Sequence, residues 1–319
     1  MGTPWVQMLK HFETADAGMA DARDHADALR RFTRAAGDYL ALSKPRLLPM
    51  VLFTALPALV MASGGWPPAG VILITLLGTA LAAASANTLN CYAERDRDAM
   101  MARTRHRPLP AGRIAPGSAL AFGVLLAGGS AILLWYATTP LAAVVALAGI
   151  LFYLFVYTVW LKPRTPLSVV VGGAAGAVAP LIADAAVDGR LGWAGALVFL
   201  IVFFWQPPHF WAIALYRKDD YARAGFPMLP LVIGDDATRR RVLGYTLVLI
   251  PVTLAPVALG FLGPLYLALA LAAGAWFLHA AVRLVRRRTH AAARGMFRVS
   301  LAYLFVLLLG MIADLALYA

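Results

Sequence analysis

An asparagine and two carboxylates recur four residues apart in the run Asn90-Cys91-Tyr92-Ala93-Glu94-Arg95-Asp96-Arg97-Asp98. On a helix each such step drifts only about 40°, so Asn90, Glu94 and Asp98 share one face over roughly 12 Å. Asp96 points about 200° away from Glu94. Side-chain oxygens at that spacing suit a hard cation such as Mg²⁺, which takes oxygen ligands and bridges to phosphate. Arg103, Arg105 and Arg107 follow directly, and the guanidinium fork matches phosphate oxygens. Acids for a metal beside cations for phosphate describe a diphosphate site better than a solvated charge run.

A second polar-aromatic stretch runs from Trp205-Gln206-Pro207-Pro208-His209 to Tyr216-Arg217-Lys218-Asp219-Asp220. Pro207-Pro208 is expected to kink or break its helix. Beyond the break, Tyr216 and Asp220 return to within about 20° of the direction of His209, which makes one polar stripe with His209 about 16 Å deeper. His209 itself divides evenly between a structural histidine and a ligand. A third stretch, Tyr157-Thr158 to Lys162-Pro163-Arg164, precedes Gly172-Gly173-Ala174-Ala175-Gly176, whose small residues suit close helix packing.

The composition locates the helices that must hold these residues. The 319-residue chain is 61% hydrophobic, with a mean hydropathy of +0.73; a soluble protein is about 45–50% apolar. The excess falls in runs of roughly 17–24 residues, each long enough for a bilayer core of about 30 Å. The expected fold is all-α, a polytopic membrane bundle of about nine transmembrane helices. Their expected ranges are 47–63, 70–90, 117–136, 140–160, 168–185, 192–215, 242–262, 265–282 and 298–317. Gly/Pro breaks such as Gly64-Gly65-Trp66-Pro67-Pro68 and Gly263-Pro264 separate them.

Lys and Arg number seven before the first span, six after the second, two after the fourth, six after the sixth and six after the eighth, with Arg190 alone on the other side. That asymmetry places the N-terminus in the cytoplasm, the C-terminus outside and the acidic stripe on the cytoplasmic face. The net charge of +12 then serves topology and the lipid bilayer, not nucleic acid. Residues 1–42 have no early apolar core and so read as a polar cytoplasmic segment without a secretory signal. A surface helix around 22–42 and a disordered tail are its two readings, and residues 43–319 form the transmembrane domain.

Other polar residues carry simpler expectations. Cys91, the single cysteine, excludes an intrachain disulfide and a cysteine metal cage, and reads as a small packed residue. Asp184, Asp188 and Arg190 read as solvated residues of an outer loop, Asp314 as reaching the outer interface, and Asn87 as a contact to a neighbouring helix. Trp66, Trp135 and Trp193 read as interface anchors.

These motifs resemble the UbiA-type intramembrane prenyltransferases, in the branch that modifies haem. The resemblance covers residues 40–318. It rests on Ser43-Lys44-Pro45-Arg46, on Asn90 to Asp98 with Arg103-Thr104-Arg105-His106-Arg107-Pro108, on Tyr157 to Pro166, on Gly172 to Ala177 and on Trp205 to Pro230. Glu94 stands where the family usually has Asp, Ser168 where it often has Asn, and the second strict Asp-x-x-x-Asp pair is replaced by Asp219-Asp220 with His209. The resemblance implies transfer of the farnesyl group of farnesyl diphosphate to a vinyl group of haem B, with water addition, giving haem O. It implies Mg²⁺ on Asn90, Glu94 and Asp98, helped by Asp219 or Asp220. Lys44, Arg46, Arg103, Arg107, Lys162, Arg164, Tyr216, Arg217 and Lys218 are the implied substrate-binding residues, with His209 ligating haem iron or orienting the porphyrin. It further implies a bacterial cytoplasmic membrane, with haem A synthase or terminal-oxidase assembly proteins as partners.

Three other readings compete. A transporter would place ionisable groups near mid-membrane, where only His209 falls. A silent oxidase assembly factor would not need Glu94, Asp96 and Asp98. An enzyme prenylating an aromatic acid or quinone precursor would not account for the block around His209.

Overall fold

The computed structural model describes residues 29–318, and every element among them is helical. α1 covers the described residues 29–42. The chain continues through α2 (Leu48–Ala62), α3 (Ala69–Met100), α4 (Pro116–Ala137) and α5 (Pro140–Leu151), which passes into a π-helical stretch, Phe152–Leu161. It goes on through α6 (Ser168–Gly176), α7 (Ala179–Asp188), α8 (Trp193–Tyr216), α9 (Lys218–Arg223) and α10 (Leu229–Val232). α11 (Asp235–Ala258), α12 (Pro264–Arg287) and α13 (His290–Tyr318) complete it. Among the described residues eight spans are long and apolar enough to cross a membrane, with α5 and the π-helical stretch counted together, as are α6 and α7. The apolar α2, 15 residues long, is shorter than these eight.

Prolines open α2, α4, α5, α7, α10 and α12. In a first turn the missing N–H would have had no partner anyway. α8 lies at the centre, against α2, α6, α7, α11 and α13. Sixty-one per cent of its apolar window is buried, against 22% for α4, so α8 faces protein and α4 faces outward with Leu125, Ile132, Trp135 and Tyr136. α3 and α4 interlock through small residues. Ser130 Oγ donates to the Gly78 carbonyl and Ser85 Oγ to the Gly123 carbonyl, at 2.7 and 2.8 Å. A Cβ on Gly78 would sit 2.5 Å from Leu134, and one on Gly123 would sit 2.7 Å from Leu89.

Four expectations are corrected. Pro207 and Pro208 do not break α8, which runs through both; they are buried among neighbouring helices, which tolerate the lost ladder bonds. The chain breaks at Arg217 instead, so His209 and Asp220 lie on different helices and do not form one stripe. The expected single span 168–185 is interrupted at 177–178, ahead of Pro180, whose ring and missing N–H forbid a continuous ladder. Asp184 is not solvated but 4% exposed, and Asp314, near the end of the last span, is likewise buried at 1%. Asp184 accepts the Gly192 N–H ahead of α8, and Asp314 accepts those of Gly263 and Tyr266 at the start of α12. A carboxylate there meets orphan N–H groups and the positive end of the helix dipole.

α1 is docked rather than free. Leu42 joins Cys91, Leu109, Ile114 and Ala119 in a small apolar cluster. Tyr39 meets Phe122 edge-on at 5.1 Å, and Arg113 pairs with Asp38 at 3.0 Å. Leu42 is thus part of packed structure. Asn87 donates to the Ser43 carbonyl in the turn after α1. Residues 1–28, including the start of the expected surface helix, lie outside the described residues.

Candidate active site

α3 has 32 residues, about 48 Å of helix. A bilayer core is about 30 Å thick, so one end of α3 must stand clear of the apolar layer. The stripe sits on that end. Asn90, Glu94 and Asp98 are 2%, 6% and 1% exposed, while the Asp96 side chain is 86% exposed. The helix thus separates these residues as their spacing requires.

Each buried oxygen group meets one cation, and each cation comes from a different segment. Lys44 Nζ donates to Asn90 Oδ1 at 2.7 Å. Lys162 Nζ stands 2.5 Å from Glu94 Oε1. Arg107 Nη1 donates to Asp98 Oδ2 at 2.7 Å.

Local geometry delivers each of them. Lys44 sits in the turn between α1 and α2 with φ +51, a region that costs an L residue about 1–2 kcal/mol. Such strain persists where surrounding structure requires it. Arg107 is carried by the loop after α3, which Thr104 ties back by donating to the Asp98 carbonyl at 2.7 Å. Lys162 follows the π-helical stretch. On an α-helix Tyr153 and Lys162 would point about 180° apart. The wider i→i+5 winding brings them to one side: the Tyr153 and Tyr157 rings lie 5.3 Å apart, and Lys162 Nζ lies 5.6 Å from the Tyr157 ring. Thr158, on the same stretch, donates to the Tyr153 carbonyl and accepts from Asn90 Nδ2. That fixes the amide of Asn90 with its oxygen towards Lys44. Gly172 gives the Tyr157 ring its space, since a Cβ there would lie 2.1 Å from the ring.

The electrostatics follow from this packing. Burial alone would push the Lys162 ammonium down, but the charge of Glu94, with smaller contributions from the Tyr157 and Tyr153 hydroxyls and the hydrogen bond to Glu94, outweighs it and the net shift is upward. Burial pushes Lys44 down, against the opposing pull of Cys91 and Glu94 and with Arg107 and Lys162 adding to the drop.

The segment after α9 reaches this site through Phe226, which is 2% exposed. Lys162 Nζ and the Arg97 guanidinium each lie 4.9 Å from its ring centre, within cation–π range. Of the acids that lead to it, Asp220 pairs with Arg217 and Arg223, while Asp219 is exposed. Lys218 pairs with Asp235 at 3.0 Å. Arg46 and Arg103 are exposed. Arg164 caps the π-helical stretch by donating to the Val159 and Trp160 carbonyls.

His209 is 7% exposed and stacked on Trp205, 4.4 Å between ring centres. Its Nδ1 lies 2.7 Å from Ser300 Oγ. Ser300 Oγ also donates to the Phe297 carbonyl, which in the neutral ring assigns Nδ1 as the donor and leaves the lone pair on Nε2. Tyr216 approaches the same Phe297 ring at 6.3 Å.

Thr158, Arg97 and Phe226 lie in stretches that the sequence marked but were given no role there, and Ser300 lies outside those stretches. Contacts to residues far along the chain define their places.

Among the described residues no three His, Cys, Asp or Glu side chains gather into a metal cage. The stripe supplies two carboxylates and one amide oxygen. Mg²⁺ is commonly held by one or two carboxylates, with water and substrate phosphate completing its shell, and the stripe fits that pattern.

Residues 51–313 match the UbiA prenyltransferase family, so fold and site together define an intramembrane prenyltransferase scaffold. Two curated relatives are both named protoheme IX farnesyltransferase. That of Symbiobacterium thermophilum is 48% identical over 279 residues, covering 87% of this chain and 93% of the relative. That of Acidiphilium cryptum is 45% identical, covering 88% and 90%. The chain belongs to the UbiA prenyltransferase family, in its protohaem IX farnesyltransferase branch, and is an integral membrane protein. Solved structures share the fold. A digeranylgeranylglyceryl phosphate synthase structure superposes with a TM-score of 0.75 at 17% identity, covering 88% of this chain and 99% of that one. A UbiA homologue from Archaeoglobus fulgidus bound to DMAPP and Mg²⁺ gives 0.61 at 15% identity, covering 86% and 99%.

Proposed function

We propose that this protein transfers the farnesyl group of farnesyl diphosphate to a vinyl group of haem B, with addition of water, giving haem O and diphosphate. One observation carries the reading: three buried oxygen groups on α3 face three cations from separate segments. This arrangement can take both a metal and a diphosphate. The relatives' name supplies the acceptor and the prenyl length.

Asn90, Glu94 and Asp98 are the proposed Mg²⁺ ligands; the Archaeoglobus homologue bound to Mg²⁺ and DMAPP supports a metal-dependent transfer. Asp219 and Asp220 form the proposed second mouth. The metal, when bound, supplies positive charge to the diphosphate. Lys44, Lys162 and Arg107 bind the diphosphate oxygens, and their charge helps the allylic C–O bond to ionise. The electron pair of that bond leaves with diphosphate. A haem vinyl carbon then bonds to the farnesyl C1, and the cation left on the porphyrin side chain adds water and loses a proton. A site walled by helices keeps bulk water from quenching the allylic cation first. The unprotonated Nε2 of His209 suits it to an iron or porphyrin contact. The positive-inside asymmetry supports a cytoplasmic side for this chemistry and an outer C-terminus. Haem A synthase or an oxidase assembly protein is the proposed recipient of the product. Haem O formation by the purified protein, and its loss in Glu94→Gln, tests the reading; normal product from Glu94→Gln would sink the site assignment.

A further inference from the structure

Asn90, Glu94 and Asp98 are each already engaged by a partly buried cation. One carboxylate oxygen cannot comfortably hold an ammonium at 2.5 Å and a dication at about 2.0–2.1 Å together, because two positive charges would stand side by side in a poorly solvated site. We propose that Lys162 is an exchange residue: it holds Glu94 in the absence of metal and moves to the diphosphate when a dication takes Glu94. Lys44 on Asn90 and Arg107 on Asp98 act in the same way. The inference rests on the proposed function for the identity of the anion.

The geometry supports a short movement. The Lys162 ammonium lies near both the Tyr157 and Phe226 rings, 5.6 and 4.9 Å from their centres. Those rings can keep its charge stabilised while it changes partners. A dication arriving alone must strip these partly buried cations from their partners and leave them unpaired, which is costly. Arriving with diphosphate, it supplies the anion that receives them. Metal and diphosphate therefore promote each other's binding, and by linkage the promotion is reciprocal. Metal alone is held weakly because Lys162 competes for Glu94.

The test measures metal binding without turnover. Mn²⁺ is titrated by electron paramagnetic resonance into the full-length protein in detergent. Wild type, Lys162→Met and the double variant Lys162→Met/Glu94→Gln are compared. Lys162→Met should bind Mn²⁺ alone at least about tenfold more tightly than wild type, and the double variant should lose that gain. An unchanged or weaker affinity in Lys162→Met would mean that the metal uses oxygens Lys162 does not occupy, and would overturn the exchange. A gain that survives in the double variant would overturn it too, because the metal would then not be on Glu94. If Lys162→Met does not fold, Lys44→Met, which frees the Asn90 oxygen, is read with the same expected direction. Haem O formation by the wild type separates the two claims: its absence sinks the function, whereas an unchanged Mn²⁺ affinity in a protein that forms haem O sinks only the exchange.

Discussion

Glu94 and Asp98 differ from Asp96 in burial, not in chemistry, and that difference decides what each substitution does. Glu94→Gln and Asp98→Asn keep the shape of buried side chains and remove charge that faces a cation. Each should lower farnesyl transfer by at least about a hundredfold, the scale of losing one electrostatic contact at a reacting centre. Both should still give a monodisperse helical protein by size exclusion and circular dichroism. Asp96→Asn, on an 86% exposed side chain, should stay within a few-fold of wild type in the same assay. A hundredfold loss there would mean that the helix unwinds when substrate binds. The stripe was legible because a four-residue repeat fixes one helix face wherever the helix lies. Lys44, Arg107 and Lys162 were legible as candidates, but not their one-to-one pairing with the three oxygens. That pairing depends on a positive φ at Lys44 and on a non-α winding before Lys162. Arg46, Arg103 and Arg164 looked equivalent in sequence, yet the first two are exposed and the third caps a helix end.

The π-helical stretch Phe152–Leu161 is the element that aims Thr158, Tyr157 and Lys162 at α3. Its aromatic run reads in sequence as the end of one more apolar span, because hydropathy carries no trace of an i→i+5 hydrogen bond. α6 supports it through Gly172. Gly172→Ala would place a methyl group 2.1 Å from the present Tyr157 ring position, so the ring must move and Lys162 loses one wall of its setting. Overpacking of this kind should cost about 1–3 kcal/mol of stability, read as a lower thermal midpoint in detergent, with a loss of transfer larger than the stability loss explains. Unchanged activity at a lowered midpoint would make Gly172 a packing residue alone. α8 shows the opposite failure of sequence reading. Its paired prolines signal a break that surrounding helices absorb, and the break that matters falls at Arg217, where no proline stands.

Hydropathy and the distribution of Lys and Arg made the helical bundle legible, since a bilayer leaves the backbone few alternatives. Which helix lies at the centre was not legible: α4 and α8 are both apolar, and only their packing separates them. Two buried aspartates close the bundle at the end away from the stripe, on the starts of α8 and α12. Asp314→Asn should lower stability by about 1–3 kcal/mol, the cost of weakening a charge-assisted contact to buried N–H groups. It should leave the transfer rate of the folded protein unchanged, which thermal unfolding and a rate per folded molecule would check together. A lowered rate would show that the two ends of the bundle are coupled. The central claim joins fold, metal and reaction, and one experiment meets all three. Purified protein in detergent is incubated with haem B, farnesyl diphosphate and Mg²⁺, with and without EDTA, and the haems are resolved by chromatography and mass. Haem O that forms with Mg²⁺ and disappears with EDTA is the expected result. Folded protein that forms no haem O, or that prenylates an aromatic acid instead, would contradict it.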